Sequence, residues 1–376
     1  MKLEPFQMER LQSTWEHAVD CNLSESGVHP VRLGELVPEA EMREQLLGLE
    51  LGYPQTNGTP ELRSAIASMY CGATPENVLV VTGTAEANFL AGGLLLEPGD
   101  QMVLMLPNYM QLWGLGRSLG AEVTPFHLLE ERAWSPDLRG LENVISSQTR
   151  VIAVCNPNNP TGAILTESEM TRIVAAADRT GAWLLADEVY RGAELDGKRT
   201  PSFWGLYDRT VITSGLSKAY GLPGLRIGWM VSSPDMIEQA WGYRDYTTIA
   251  ASAASDFLAR LALRADNRER LLNRTRHLLK SNYPLLRSWV DGHSDLLSLT
   301  DPKAGAIAYL RYRLDIPSEK LVETLRKEKS VLVVPGAHFL MEHYLRIGYG
   351  CVPQQLEEGL GRIGAFLSAC VEGCCR

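Results

Sequence analysis

Short apolar runs and longer amphipathic stretches alternate along this chain from residue 78 onward. Runs of strand length read at Val78–Thr82, Met102–Leu106, Val123–Phe126, Val151–Cys155, Trp183–Ala186, Val211–Thr213 and Arg226–Val231. Helical periodicity lies between several of them, near Ala85–Leu96, Gln111–Leu119 and Glu167–Thr180. Strands apolar on both faces and joined by amphipathic helices predict an α/β fold: a mainly parallel seven-stranded sheet with helices on both faces. From Pro234 to about Leu286 the pattern is mainly helical. The remainder, with strands near Ile307–Leu310, Val331–Val334 and Tyr344–Ile347, reads as a smaller α+β unit. Ahead of the alternation come an amphipathic piece over Pro5–Val19, a helix around Glu39–Leu49 and a turn-rich stretch entering a helix at Pro60. The expected organisation is therefore an N-terminal arm and substrate-side loop (1–50), a large domain (51–286) and a small C-terminal domain (287–376) packed with the arm.

Composition narrows the function. Of 376 residues, 45% are apolar and 22% charged, the balance of a globular protein. A net charge of -9 and a pI near 5.4 argue against nucleic acid as a partner. No apolar run approaches the roughly 18 residues of a membrane span. The first twenty residues carry charges throughout, so no signal peptide is expected and a cytoplasmic protein is. Seven cysteines at scattered positions suit a reduced compartment. Cys370, Cys374 and Cys375 lack a nearby His or Cys-x-x-Cys partner and read as an ordinary tail; no metal is expected.

The polar residues that follow the strands carry the candidate chemistry, since parallel sheets bind ligands beyond their strand C-termini. Gly83-Thr84-Ala85 opens a helix and offers free amides and a hydroxyl to an anion, although a plain helix cap has the same look. Asn156-Pro-Asn-Asn159-Pro160-Thr-Gly162 holds Asn159 rigidly between proline turns. Asp187 ends a buried strand, a costly place for a carboxylate without a cationic or hydrogen-bonding partner. Tyr109 places an aromatic ring where it stacks on a planar ligand or joins the core. Lys218 stands among Ser and Gly between two apolar strands, where a neutral amine is held out of bulk water as a nucleophile. Arg226 opens the second of those strands as a phosphate-gripping fork.

Together Asn159-Pro-Thr-Gly162, Asp187-Glu-Val-Tyr190 and Ser217-Lys218-Ala-Tyr-Gly-Leu-Pro-Gly-Leu-Arg226-Ile-Gly resemble the class I/II aminotransferase family, the aspartate aminotransferase fold of pyridoxal 5'-phosphate enzymes. That resemblance implies roles. Lys218 bonds the cofactor's aldehyde carbon and later moves protons; Asp187 pairs with the pyridine nitrogen. Asn159 and Tyr190 reach the cofactor's phenolic oxygen, Tyr109 stacks on its ring, Gly83, Thr84 and Arg226 hold the phosphate, and Ala85 and Ser217 join the cofactor contacts. Arg346 takes the α-carboxylate of a small amino acid substrate. Tyr53 reaches the partner's phosphate, which implies a homodimer with shared active sites. One departure stands out: the family's usual Ser or Thr three residues before the lysine is Gly215, leaving open which of Ser214 and Ser217 meets the phosphate.

The segment Leu23-Ser-Glu-Ser-Gly-Val-His29…Gly34-Glu-Leu36 is similar to that of the capreomycidine synthase group, enzymes that cyclise hydroxylated arginines. Glu9, Asp20 and Glu25 would meet a guanidinium, Gly27 and Asn159 join the substrate contacts, and His29 would protonate a departing hydroxyl. The expectation is a cyclodehydratase of a hydroxylated L-arginine. An aminotransferase using a 2-oxo acid is the alternative, and a non-catalytic binding module a remote third.

Overall fold

A computed structural model describes residues 2–371. The chain begins with α1 (Gln7–Trp15), the two-residue strand β1 (Cys21–Asn22) and the short helices α2 (Leu33–Leu36) and α3 (Ala40–Leu47). Helix α4 (Pro60–Ala67) starts with proline at a position needing no amide donor, and the Thr59 hydroxyl accepts from the Leu62 amide. The alternation then appears as β2 (Val78–Val81), α5 (Thr84–Leu95), β3 (Gln101–Leu106), α6 (Gln111–Ser118), β4 (Glu122–Leu129), β5 (Ser135–Pro136) and α7 (Leu138–Val144). It continues with β6 (Thr149–Cys155), α8 (Glu167–Thr180), β7 (Trp183–Asp187), β8 (Thr210–Gly215) and β9 (Gly228–Val231). A reciprocal Thr166–Glu169 cap starts α8, and Gly181 in the left-handed region ends it.

The strands form one sheet in the order β2-β9-β8-β7-β6-β3-β4-β5. The pairs from β8 through β7, β6 and β3 to β4 are parallel, while β9 runs against both its neighbours. The expected seven strands are all present; the dipeptide β5 lengthens one edge. Alternation within the strands splits the core in two. Val78 and Val80 enter one apolar cluster and Leu79 and Val81 the other, so both sheet faces are dry and helix-covered.

Three helices follow: α9 (Pro234–Arg244), α10 (Ala253–Leu263) and the 27-residue α11 (Ala265–Asp291), which continues unbroken through residue 286. Then come β10 (Leu297–Leu299), β11 (Ile307–Tyr312), α12 (Ser318–Lys329), β12 (Val331–Leu332), β13 (Val334–Pro335), β14 (Tyr344–Gly348) and α13 (Pro353–Val371). These build a second, antiparallel sheet, β10-β11-β14-β13, while β1 pairs in parallel with β12. The N-terminal arm is thus stitched to the C-terminal unit. No helix among the described residues is long and apolar enough to cross a membrane. Cys374 and Cys375 lie outside the described residues.

One local expectation is corrected. Arg226 does not open a strand. It sits in the left-handed region (φ 51°) after a 3-10 turn over Pro223–Leu225, and β9 starts at Gly228. Pro223 sets the turn, and the turn swings the guanidinium back over the end of β8.

Candidate active site

A cavity of about 330 Å³ opens at the C-terminal ends of β6, β7 and β8, and α1 forms its outer wall. Its inner end is an anion cradle. The first amides of α5, at Thr84 and Ala85, have no partner within their helix. The Thr84 Oγ1 is buried with no hydrogen-bond partner, and Ser217 and Arg226 line the same end. The Gly83 amide turns back to the Val81 carbonyl, so Gly83 shapes this loop rather than donating from it. Gly215 has a steric reason: a Cβ there would lie 2.8 Å from Thr84 Oγ1 and 2.9 Å from the Ile227 carbonyl. The Ser214 hydroxyl points away to the Glu188 carbonyl (3.2 Å), which leaves Ser217, 3.5 Å from Arg226 Nη1, facing the cradle.

At the opposite end Asp187 is buried on the last position of β7. Its carboxylate accepts from the Val189 amide (3.0 Å) and from Asn88 Nδ2 (3.3 Å), and Thr213 Oγ1 donates to Asn88 Oδ1 (2.8 Å). Burial pushes its pKa up to about 6 against those hydrogen bonds. A cationic ring nitrogen is the partner such a carboxylate lacks. Asn88, one helical turn beyond Thr84, was invisible in the motifs.

Lys218 lies between the two ends, and its Nζ donates to Glu25 Oε1 at 2.7 Å. The same oxygen accepts from the amides of Ser26 (2.9 Å) and Gly27 (2.8 Å). Lys218, set against burial that disfavours its charge, holds Glu25 down at about 2. Burial also pulls the Lys218 pKa downward, but Glu25 and Tyr190 more than offset it, and the net shift is upward. The neutral amine expected from sequence is therefore an ammonium here, because a carboxylate from the arm reaches it.

Around this axis stand the remaining motif residues. Burial pushes Tyr190 up to about 12. The Tyr109 hydroxyl donates to Glu9 Oε1 (2.9 Å), and its ring meets Phe6 edge-on at 5.0 Å. Asn159 Oδ1 accepts from Arg346 Nη1 (3.0 Å). Arg346 is fully buried on β14: Nη2 donates to the Ser24 carbonyl (2.6 Å), and Nε is left without a partner. A guanidinium with an orphaned buried donor suits an α-carboxylate.

Three expected residues fall elsewhere. His29 has an exposed side chain and does not line the cavity; its backbone is held by Gly350 and Arg274. The loop's register, set by β1–β12 pairing, turns Glu25 inward and His29 outward. Asp20 is occupied on the surface by Arg362 at 2.9 Å. Tyr53 is 84% exposed and is not among the residues lining the cavity of its own chain. In Asp20's place the structure brings Glu16. Glu9, Gln12, Ser13 and Glu16 all line the cavity, and their i, i+3, i+4, i+7 spacing marks one helix face that the sequence already displayed.

The residues fit pyridoxal phosphate. The cradle with its orphaned hydroxyl would take the phosphate, Asp187 the ring nitrogen, Tyr109 a ring face, Asn159 and Tyr190 the phenolic oxygen, and Lys218 the aldehyde carbon. Comparison with known proteins agrees. A family model described as aminotransferase class I and II matches residues 33–363. Capreomycidine synthase of Streptomyces vinaceus is 31% identical over 355 residues, covering 94% of this chain and 91% of that protein. A crystal structure of a PLP-dependent aminotransferase from Streptococcus suis superposes with a TM-score of 0.92 at 34% identity, covering 98% of each chain. The PLP-dependent cyclase OrfR superposes with a TM-score of 0.88 at 26% identity, again over 98% of both chains.

Proposed function

This chain belongs to the class I and II aminotransferases, pyridoxal phosphate enzymes, and within that family we propose that it is a cyclodehydratase acting on a hydroxylated L-arginine. One observation carries the reading: the cavity wall opposite the cofactor residues is acidic. Glu9, Glu16 and Glu25 line it, and among the described residues the basic side chains lining the cavity are Lys218 and Arg226. One of these is committed to the amine chemistry and the other to the phosphate. A substrate side chain reaching toward α1 meets carboxylates, which select a cation, and a planar guanidinium suits two of them at once. The similarity to capreomycidine synthase and to a PLP-dependent cyclase supports the same direction.

The chain's own groups supply the remaining steps. Arg346 and Asn159 hold the α-carboxylate. Lys218, once neutral, removes the Cα proton; bound pyridoxal phosphate supplies the sink for the electron pair left behind. The resulting ammonium, held beside Glu25, returns a proton to the departing hydroxyl, which leaves as water. A guanidine nitrogen then bonds to the unsaturated carbon, and the proton it sheds passes by way of Glu25 and Lys218 back to Cα, so that the net change is the loss of one water. The acid role expected of His29 passes to the Lys218–Glu25 pair.

The same reading includes a homodimer in which Tyr53 serves the partner's site. The exposure of Leu47, Leu51, Tyr53 and Tyr246 in the isolated chain supports it. The test of the reaction is product analysis by mass spectrometry with hydroxyarginines, with and without a 2-oxo acid. Cyclisation gives loss of one water, retention of the α-nitrogen and no need for the acceptor. Stoichiometric conversion of the 2-oxo acid to its amino acid would instead establish transamination, which the complete set of Lys218, Asp187, Tyr190 and Arg346 equally permits.

A further inference from the structure

Glu9 of α1 and Glu16, which caps that helix, supply two of the three glutamates of the acidic wall. Toward the sheet beneath the cofactor, Glu9 accepts from the Tyr109 hydroxyl and the Phe6 ring meets that of Tyr109, and a half-exposed Glu4–Arg117 pair precedes the helix. On its other side Gln12 Nε2 donates to the Ser24 carbonyl of the arm's own loop (2.9 Å), and Met8 Sδ lies 3.3 Å from Arg346 Nη1 of the C-terminal unit. At the C-terminal end of α1, the Arg326 guanidinium lies 3.7 Å above the centre of the Trp15 ring.

That last contact has the marks of a dedicated one. Arg326 belongs to the last turn of α12, where Glu323 pairs with Lys327 (2.6 Å) and Glu319 with His338 (3.2 Å). Among the described residues Arg326 makes no ion pair; its charge acts on Glu323 at a distance, and its guanidinium stacks on the indole face. Trp15 immediately precedes Glu16. Six residues after Trp15 and five after Arg326 the two segments meet again, Cys21 pairing with Val331 in the β1–β12 ladder, where Ser330 Oγ also accepts from the Asp20 amide (2.9 Å). The stack and the ladder thus fix both ends of one short connection. That connection decides where Glu16, and through the helix Glu9, stand in the cavity.

We propose that the Trp15–Arg326 stack is a positioning clasp for substrate specificity. It seats α1 on the C-terminal unit so that Glu9 and Glu16 present a fixed acidic pair to a cationic side chain. Neither Trp15 nor Arg326 touches the cofactor residues or lines that cavity. The inference rests on the acidic-wall reading above and names what holds the wall.

The test uses holoenzyme and two probes of matched shape, cationic L-arginine and neutral L-citrulline, with binding read from the visible absorbance of the bound cofactor. Wild type binds arginine the more tightly. Arg326→Met keeps the aliphatic stem but loses the planar cation; it weakens arginine binding about fivefold while citrulline stays within about twofold. Arg326→Lys restores most of the arginine preference, because an ammonium also binds a ring face. Trp15→Phe, which keeps a smaller aromatic face, falls between. An arginine-to-citrulline ratio unchanged in Arg326→Met overturns the clasp while the acidic wall stands. Equal weakening of both probes together with a lowered Tm overturns it in favour of a merely structural contact. A wild-type enzyme that binds the two probes alike overturns the acidic-wall reading, and the clasp with it.

Discussion

Asp187 ends β7 and Glu188 follows it, and burial pushes both carboxyls upward, to about 6 and about 7. Glu188 Oε1 accepts from Ser202 Oγ (2.8 Å) and the Phe203 amide (2.9 Å), while Oε2 is buried without a partner. In the unfolded chain these groups ionise near 3.8 and 4.5. The folded protein therefore binds their protons more tightly, and their contribution to stability is complete below the unfolded values. It is lost as pH rises through 6 and 7. For Glu188 the shift corresponds to a loss on the order of 3 kcal/mol. Glu188→Gln should flatten that loss: its Tm should fall less than wild type between pH 5 and 7.5, and parallel melting curves would show that Glu188 keeps no proton in the fold. Lys218→Ala should abolish borohydride-dependent cofactor labelling and lower turnover by at least about a hundredfold, the share of a positioned proton carrier. Labelling at another lysine would displace Lys218 from the centre of the site.

Strand β9 passes very close to the start of α5. A Cβ at Gly228 would lie 2.5 Å from the Gly83 carbonyl carbon and from the Thr84 amide nitrogen, and both neighbours are backbone. Nothing there can swing aside, so the first turn of α5 would shift and the phosphate cradle with it. Gly228→Ala should cost about 1–3 kcal/mol in urea unfolding and shed cofactor faster on dialysis. Gly224→Ala is the control, since a Cβ there meets nothing within 4 Å. Equal behaviour of the two variants would mean that the strand–helix approach is not what shapes the cradle.

At the scale of the whole molecule the prediction concerns assembly. Tyr53 is 84% exposed, although its neighbourhood is turn-rich and leads directly into the capped α4. In the proposed homodimer its hydroxyl reaches the partner's phosphate. Tyr53→Phe should then retain cofactor less well. Mixing it with Lys218→Ala subunits should raise activity above the average of the two parents, because one site of each mixed dimer receives both intact residues. A fully active monomer at assay concentration would end this arrangement.

Much of the molecule was settled by local pattern. Two-sided apolar strands in alternation with amphipathic helices force a buried parallel sheet, and the residues after its strands had to gather at one edge. Lys218, Asp187, Asn159, Tyr190 and the Gly83–Ala85 turn were legible for that reason: each follows directly from the strand before it. Residues whose place depends on distant packing were not. Arg226 lost its strand to a turn set by Pro223, and Asn88 became the partner of Asp187 because α5 lies along β7 and β8. His29 and Glu25, four residues apart, exchanged importance. Their segment has little regular structure, and pairing of Cys21 with Val331, across 310 positions, sets which side chains face the cavity. Periodicity along the chain states which residues share a face; only the packing of one element on another states what that face looks at.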